Sequence, residues 1–239
     1  MTTSPAAALH ESDQRLVRTV DSLADDQWSQ PSVLPGWTRG HVIAHLALNA
    51  EGLATALDDL RHHRPAAMYA SNEQRDADIQ ELAAAEPPAI RERLFAAGEQ
   101  LREMLAALSD DDWAGSVDRV PGGPSFPVMA LPATRRREVE IHHADIACDY
   151  RHTDWPRDFC AELLEVLAHD QAANPETDPF KVSATDLGIT WQVGADEPVV
   201  AGSGADLGWW LAGRGSGDGL STASGALPRI GAWRRTPAK

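Results

Sequence analysis

The chain has 239 residues, enough for one large domain or two small ones, and a chain of this size buries roughly 70% of its unfolded surface without covalent staples. A formal net charge of −15 offers no basic footprint for nucleic acid or an anionic membrane. Two cysteines, Cys148 and Cys160, with no Cys-x-x-Cys spacing, exclude a disulfide framework and a cysteine-rich zinc module.

No apolar run approaches the length of a bilayer span. Met1 to His10 lacks the basic and apolar regions of a signal peptide, so the expected compartment is the cytoplasm. Arginine outnumbers lysine 19 to 2, which points to a high-GC genome such as an actinobacterium's. It also favours recognition of carboxylates, because rigid guanidinium forks match them better than ammonium groups do.

In chain order, Leu9, Leu16, Val20 and Leu23 fall at helical spacing and predict an amphipathic helix over about 5–25. Leu34-Pro35-Gly36-Trp37-Thr38 reads as a turn, with Thr38 the N-cap of a helix reaching about Arg61. That helix carries Val42, Leu46, Leu53, Leu57 and Leu60 on one face. A third helix is expected after Ser71, where Ser71-Asn72-Glu73-Gln74 matches a capping box. Pro87-Pro88 opens a fourth, reaching Leu108 and ending at Ser109 and an acidic turn. Gly122-Gly123-Pro124 is a loop, and a further helix is expected over roughly Ala133 to Arg151.

Asp154-Trp155-Pro156 caps and opens a helix reaching about Ala173. The pattern then changes. Leu187 to Val193 alternates with period two, and Pro198 to Ala201 is a second short strand. A short helix over 206–212 stops at Gly213 and Gly215, and its pair Trp209-Trp210 reads as core of a small domain. The fold class is therefore α+β, with a helical bundle over 1–152 and a smaller α/β domain over 153–239. Internal repeats are absent, and nothing sets an oligomeric state; a monomer is compatible with the chain.

The chemistry concentrates in Arg137-Glu138-Val139-Glu140-Ile141-His142-His143-Ala144-Asp145. Glu138 and His142, at i and i+4, project from one helix face, with Asp145 and Asp149 continuing the stripe. A second histidine source is His41 and His45. At about 100° per residue His45 flanks the apolar face of its helix, while His41 turns toward solvent. His45, Glu138 and His142 could then converge as three N/O ligands with a fourth position open, the pattern of a catalytic rather than a structural metal. On spacing alone the alternative stays open, since an isolated Glu-x-x-x-His is commonly a surface pair. Glu140-x-x-His143 has the spacing used by di-iron bundles, but those need the motif twice, and it occurs once. Arg135-Arg136-Arg137 reads as a solvated turn, and both cysteines as buried spectators.

Leu34-Pro35-Gly36-Trp37-Thr38-Arg39-Gly40-His41-Val42-Ile43-Ala44-His45-Leu46 resembles the second-helix motif of the DinB-like metalloenzyme superfamily. Within it, Met68-Tyr69-Ala70-Ser71, Arg75, Arg137 to His142 and Ala212-Gly213-Arg214-Gly215 resemble the mycothiol-dependent maleylpyruvate isomerases. These stretches span both expected domains in order. The resemblance implies a DinB-like four-helix bundle holding zinc on His45, Glu138 and His142. It implies Arg214, from the C-terminal domain, and secondly Arg75, as the catalytic arginines of the cleft.

It also implies mycothiol as a thiol cofactor and a small dicarboxylate substrate, with cis–trans isomerisation of maleylpyruvate to fumarylpyruvate by reversible thiolate addition. Zinc would lower the thiol pKa, and arginine would meet a carboxylate or the developing enolate. Two other readings share the metal motif: a mycothiol S-transferase acting on another electrophile, and a non-catalytic zinc-binding protein. On spacing alone Arg214 caps a helix, Arg75 pairs with neighbouring acids, and Asp145 either orients a ligand imidazole or is exposed.

Overall fold

The structure, a computed structural model, describes residues 4–233, so Met1 to Thr3 of the N-terminal segment lie outside it. The chain divides into two compact units, Met1–Tyr150 and Arg151–Lys239.

In the first unit, α1 (Pro5–Ser22) is capped by Ser4, whose hydroxyl accepts from Ala7 N, and has proline in its first turn. It buries Leu9, Leu16 and Val20, and Leu23 follows them into the core. α2 (Arg39–Arg61) begins where Thr38 Oγ1 accepts from His41 N. α3 (Asn72–Ala83) is capped by Ser71, 3.1 Å from Gln74 N. The reciprocal half of the expected capping box is absent, because the Gln74 side chain donates to Asp78 Oδ1 instead. α4 (Pro87–Ala106) is followed by the single turn α5 (Asp110–Trp113) and later by α6 (Leu131–Asp145).

Helices α1, α2, α4 and α6 close a four-helix bundle. α2 packs against α4 and α6, α1 packs against α6 and α4, and α3 lies on α2. α2 is buried on nearly every side, which its run of alanine, leucine and valine permits. Its first half joins one apolar cluster with Leu16, Val20, Ile90 and Val139. Its second half joins another with Leu101, Val117 and Leu131. Asn49 on α2, and Arg135 and Glu138 on α6, fall between those two sets along their helices, and His45 lies within the first. No described helix is long and apolar enough to cross a membrane.

The sequence reading departs from the structure at two further places in this unit, the strands that flank the Gly122-Gly123-Pro124 loop and the end of α6. β1 (Ser116–Asp118) and β2 (Ser125–Pro127) form an antiparallel hairpin around what reads in the sequence as a plain loop. α6 also ends at Asp145, six residues short of Arg151, and Ala147 adopts φ +58°. The terminal carbonyls are taken from outside the helix: Val33 N donates to Asp145 O, and Arg39 donates to the carbonyls of Ile146 and Ala147. Those partners satisfy groups that further helix would otherwise satisfy, and they offset the roughly 1–2 kcal/mol of a left-handed alanine. Asp149 therefore leaves the expected helical stripe.

The second unit pairs α7 (Arg157–Ala172) and α8 (Gly204–Leu211) with a small sheet. β3 (Phe180–Ala184) is its central strand, and β4 (Ile189–Gly202) flanks it twice. The register falls as Ile189 to Val193 pass β3 and rises as Val199 to Gly202 pass it, so one arm is antiparallel and the other parallel. The two arms match the two expected strands, whereas β3 itself escaped the sequence reading. Trp210 is core, packed 5.4 Å from Phe180, while Trp209 is half-buried and stacks on His152.

The expectation that Glu140 and His143 form no metal motif has a structural counterpart on the α1 side of α6. Glu140 is 0% exposed and accepts from Ser12, Arg15 and Tyr150. His143 stacks on the Tyr150 ring at 3.8 Å and lies 2.8 Å from Thr19 Oγ1. Burial pushes the His143 pKa down to about 3, with Arg15 adding to the effect, so this imidazole is neutral. Glu140→Ala leaves Arg15 and two hydroxyls facing a void, a loss of about 3 kcal/mol at the low end for breaking a buried pair. Thermal melting should fall by roughly 6–12 °C. A fall of under 2 °C would show that this network does not fasten α1.

Candidate functional site

Antiparallel packing of α2 on α6 brings the three expected ligands together. The His45, Glu138 and His142 donor atoms all lie within 4.8 Å of one another. His45 Nε2 is 3.2 Å and His142 Nε2 3.4 Å from the same oxygen, Glu138 Oε2. The two imidazoles cross at 85° with centroids 4.7 Å apart, so both present ring edges to one point. Trp37, on the turn before α2, stands edge-on to His45 at 5.9 Å and walls the site.

The other histidine of the motif goes elsewhere. His41 Nδ1 faces Thr38, and its Nε2 lies 3.2 Å from Gln80 Oε1, so it serves the helix start.

Electrostatics differ between the two imidazoles. Burial pushes the His45 pKa down to about 4, which keeps the ring neutral. Burial acts the same way on His142, but its hydrogen bonds to Asp145 and Glu138 outweigh that and raise it. Asp145, 0% exposed, places Oδ2 2.8 Å from His142 Nδ1, so it orients that imidazole and is not exposed.

Arg75 reaches the site from α3, where its NH2 donates to His45 Nδ1 at 3.1 Å. Its NH1 pairs with Asp76 at 2.6 Å, so the expected ion pair with a neighbouring acid also exists. Arg214 follows α8 in the second unit, and its NH1 donates to Ala212 O at 2.7 Å, a helix-end contact.

The sequence reading missed a second polar layer one helical turn along. Arg135 and Arg136 are not in a solvated turn: both are buried within α6, Arg135 to 2% exposure. Arg135 NH1 donates to Asn49 Oδ1 at 2.6 Å, and Asn49 Nδ2 donates to the Tyr69 hydroxyl at 3.4 Å. Asn49 is four residues after His45, and Arg135 three before Glu138, so helical spacing alone places the pair beside the ligands. That spacing was the available signal.

Tyr69 is held there by a close approach. A Cβ on Gly52 would stand 2.8 Å from Met68 O, so only glycine lets this segment lie against α2. On its other side the segment bonds to the hairpin, with Met68 N donating to Asp118 O and Tyr69 N to Arg119 O.

The chain resembles known proteins along nearly its whole length. The sequence model described as the mycothiol maleylpyruvate isomerase N-terminal domain matches residues 9–147, and the corresponding C-terminal domain model matches 154–232. No curated protein matches. Two solved structures are similar at a TM-score of 0.88 and 25% identity, covering 96% of this chain and 95% of theirs. They are crystal structures of the mycothiol-dependent maleylpyruvate isomerase and of a histidine-to-alanine mutant of it. With both domain models matched in order over most of its length, the chain belongs to the mycothiol maleylpyruvate isomerase family.

Proposed function

We propose that this chain is a zinc- and mycothiol-dependent cis–trans isomerase that converts maleylpyruvate to fumarylpyruvate. The observation that carries the reading is the convergence of His45, Glu138 and His142 in a chain matched by both family domains.

The donor set fits zinc. It offers two imidazole nitrogens and one carboxylate oxygen, with His142 already oriented by Asp145. Three protein ligands leave room for a fourth. Zinc and a thiol bound there would supply a thiolate at neutral pH, a nucleophile able to add reversibly to an activated double bond.

The chain's own residues do the rest. Glu138 brings one negative charge, so the site keeps net positive charge for an anionic fourth ligand. A metal on His45 Nε2 requires the hydrogen on Nδ1, and Arg75 must then give up its present contact. Its guanidinium becomes available to a substrate carboxylate. Arg214 is assigned to substrate charge on the family resemblance. Cys148 and Cys160 take no part: burial pushes the Cys148 thiol pKa up, and Cys160 is buried in the second unit.

Purified protein should carry about one zinc per chain, as expected of a single three-ligand site. His45→Ala should lose most of it, and His41→Ala should keep it. The reverse pattern in elemental analysis would overturn the ligand set. Isomerisation of maleylpyruvate should require added mycothiol, conserve it over many turnovers, and survive Cys148→Ser and Cys160→Ser. Consumption of the thiol would favour the S-transferase reading; thiol-free turnover lost in a cysteine variant would refute the mechanism.

Arg214→Ala should leave zinc content and melting temperature near wild type and lower turnover by roughly a hundredfold or more. Arg214→Lys should restore part of that turnover. A lowered melting temperature with normal turnover would reduce Arg214 to its contact with Ala212.

A further inference from the structure

Three guanidinium groups gather around one tyrosine. Arg75 stands 5.9 Å and Arg119 5.5 Å from the Tyr69 ring centroid, and Arg135 approaches from the bundle interior through Asn49. Such a concentration of cations, in a chain with a net charge of −15, calls for an anionic ligand.

The nearby acids offset it only in part: Asp13 and Glu138 act on buried Arg135, and the rest are engaged elsewhere or exposed. Glu51 spends both carboxylate oxygens on Arg93, at 2.7 and 2.8 Å, and Asp78, which accepts from the neutral Gln74 amide, also acts on Arg93. Asp76 does pair with Arg75, but it is 68% exposed, where an ion pair contributes little. Arg119 Nε reaches a neutral amide, Asn72 Oδ1, at 3.4 Å. Arg135 is fully buried, donates to a neutral amide, and leaves its Nε without an acceptor.

The direction of the hydrogen bonds gives this cluster a purpose. Arg135 can only donate, so the Asn49 atom facing it must be the oxygen. That turns the Asn49 NH2 group toward Tyr69, whose hydroxyl oxygen must accept. The tyrosine's own hydrogen is thereby left to donate outward. Tyr69 and Arg75 both line an open pocket of about 230 Å³ along α2, together with Arg93, Glu51 and Asp78, while Arg119 stands over the Tyr69 ring outside that lining. A hydroxyl donor flanked by guanidinium groups matches a carboxylate.

We propose that the Tyr69 hydroxyl, with Arg75 and Arg119, forms the subsite for a carboxylate of the anionic substrate, and that buried Arg135 is a positioning residue that sets the Tyr69 donor through Asn49. The assignment rests on the isomerase reading for its substrate class. It goes beyond that reading in naming residues no metal ligand set requires.

The test is calorimetric titration of zinc-loaded protein with maleate, a dianion that lacks the reactive carbonyl. Tyr69→Phe keeps the ring that holds Arg75 and Arg119 and removes the hydroxyl, and should weaken maleate binding roughly tenfold or more. Arg119→Gln should do the same. Arg135→Lys keeps the charge but not the fork, and should weaken binding while leaving zinc content unchanged. Arg102→Gln removes the same charge at an exposed pair with Glu99 and should bind like wild type.

Undetectable binding of maleate by wild type, or wild-type affinity in both Tyr69→Phe and Arg119→Gln, overturns the subsite. An equal loss in Arg102→Gln overturns it too, by showing a diffuse charge effect. KM and kcat for maleylpyruvate separate this proposal from the one beneath it. Turnover with an unchanged KM in Tyr69→Phe refutes the subsite and leaves the isomerase. Tyr69-dependent maleate binding without turnover refutes the isomerase and leaves the subsite.

Discussion

A carboxylate placed inside a helical bundle must have its charge met, and Glu138 at 8% exposure is the point on which this structure turns. Its oxygen faces two imidazoles, one of them held neutral by burial, with Arg75 behind it. Those partners converge from α2, α3 and α6, so the bundle must hold all three helices in register for the site to exist. The capture of the Ile146 and Ala147 carbonyls, just past α6, by Arg39, the first residue of α2, ties the helices that carry His45, Glu138 and His142 directly. Register and chemistry are thus enforced by the same contacts.

Helix α6 carries two acid–imidazole pairs that look alike in the sequence and differ in surroundings. Glu140 meets a guanidinium and two hydroxyls, and His143 is stacked flat on a ring. Every strong demand of Glu140 is met by the chain, which makes that pair a fastening. Glu138 instead faces imidazole nitrogens whose lone pairs can be turned to a cation. What separates a cluster able to hold a metal from a structural ion network here is the nature of the neighbours. Serine, arginine and tyrosine donate hydrogens, whereas a second histidine can accept a metal.

Much of this could be read in the residues. The i,i+4 spacing of Glu138 and His142 and the phase of His45 against Val42 and Leu46 follow from helix geometry, and the three donors meet as that geometry requires. The end of α6 could not be read, because nothing local to Ile146-Ala147 stops a helix. Tertiary partners, Arg39 and Val33, do so from about a hundred residues away. β3 was missed although Phe180, Val182 and Ala184 alternate with polar residues, because five residues containing serine and lysine give a weak period-two signal. Arg135-Arg136-Arg137 misled for a different reason. Three consecutive cations suggest solvent until the helix spacing to Asn49 and Glu138 is counted, and then burial of Arg135 becomes intelligible.

The bare Cα of Gly52 has a wider consequence. With Met68 O at 2.8 Å from where a methyl would stand, the gap between α2 and the Tyr69 segment is set by a missing atom and not by an attractive contact. Position 52 therefore behaves as a spacer of zero thickness. A methyl inserted there would act as a shim, pressing on Met68 O and the Tyr69 ring and not on His45, Glu138 or His142. The spacing between Tyr69 and α2 is in that sense adjustable from a position that belongs to neither the His45, Glu138 and His142 cluster nor the arginines. A lineage could alter the width of the pocket beside Tyr69 by changing one side chain's bulk, with no change at His45, Glu138 or His142.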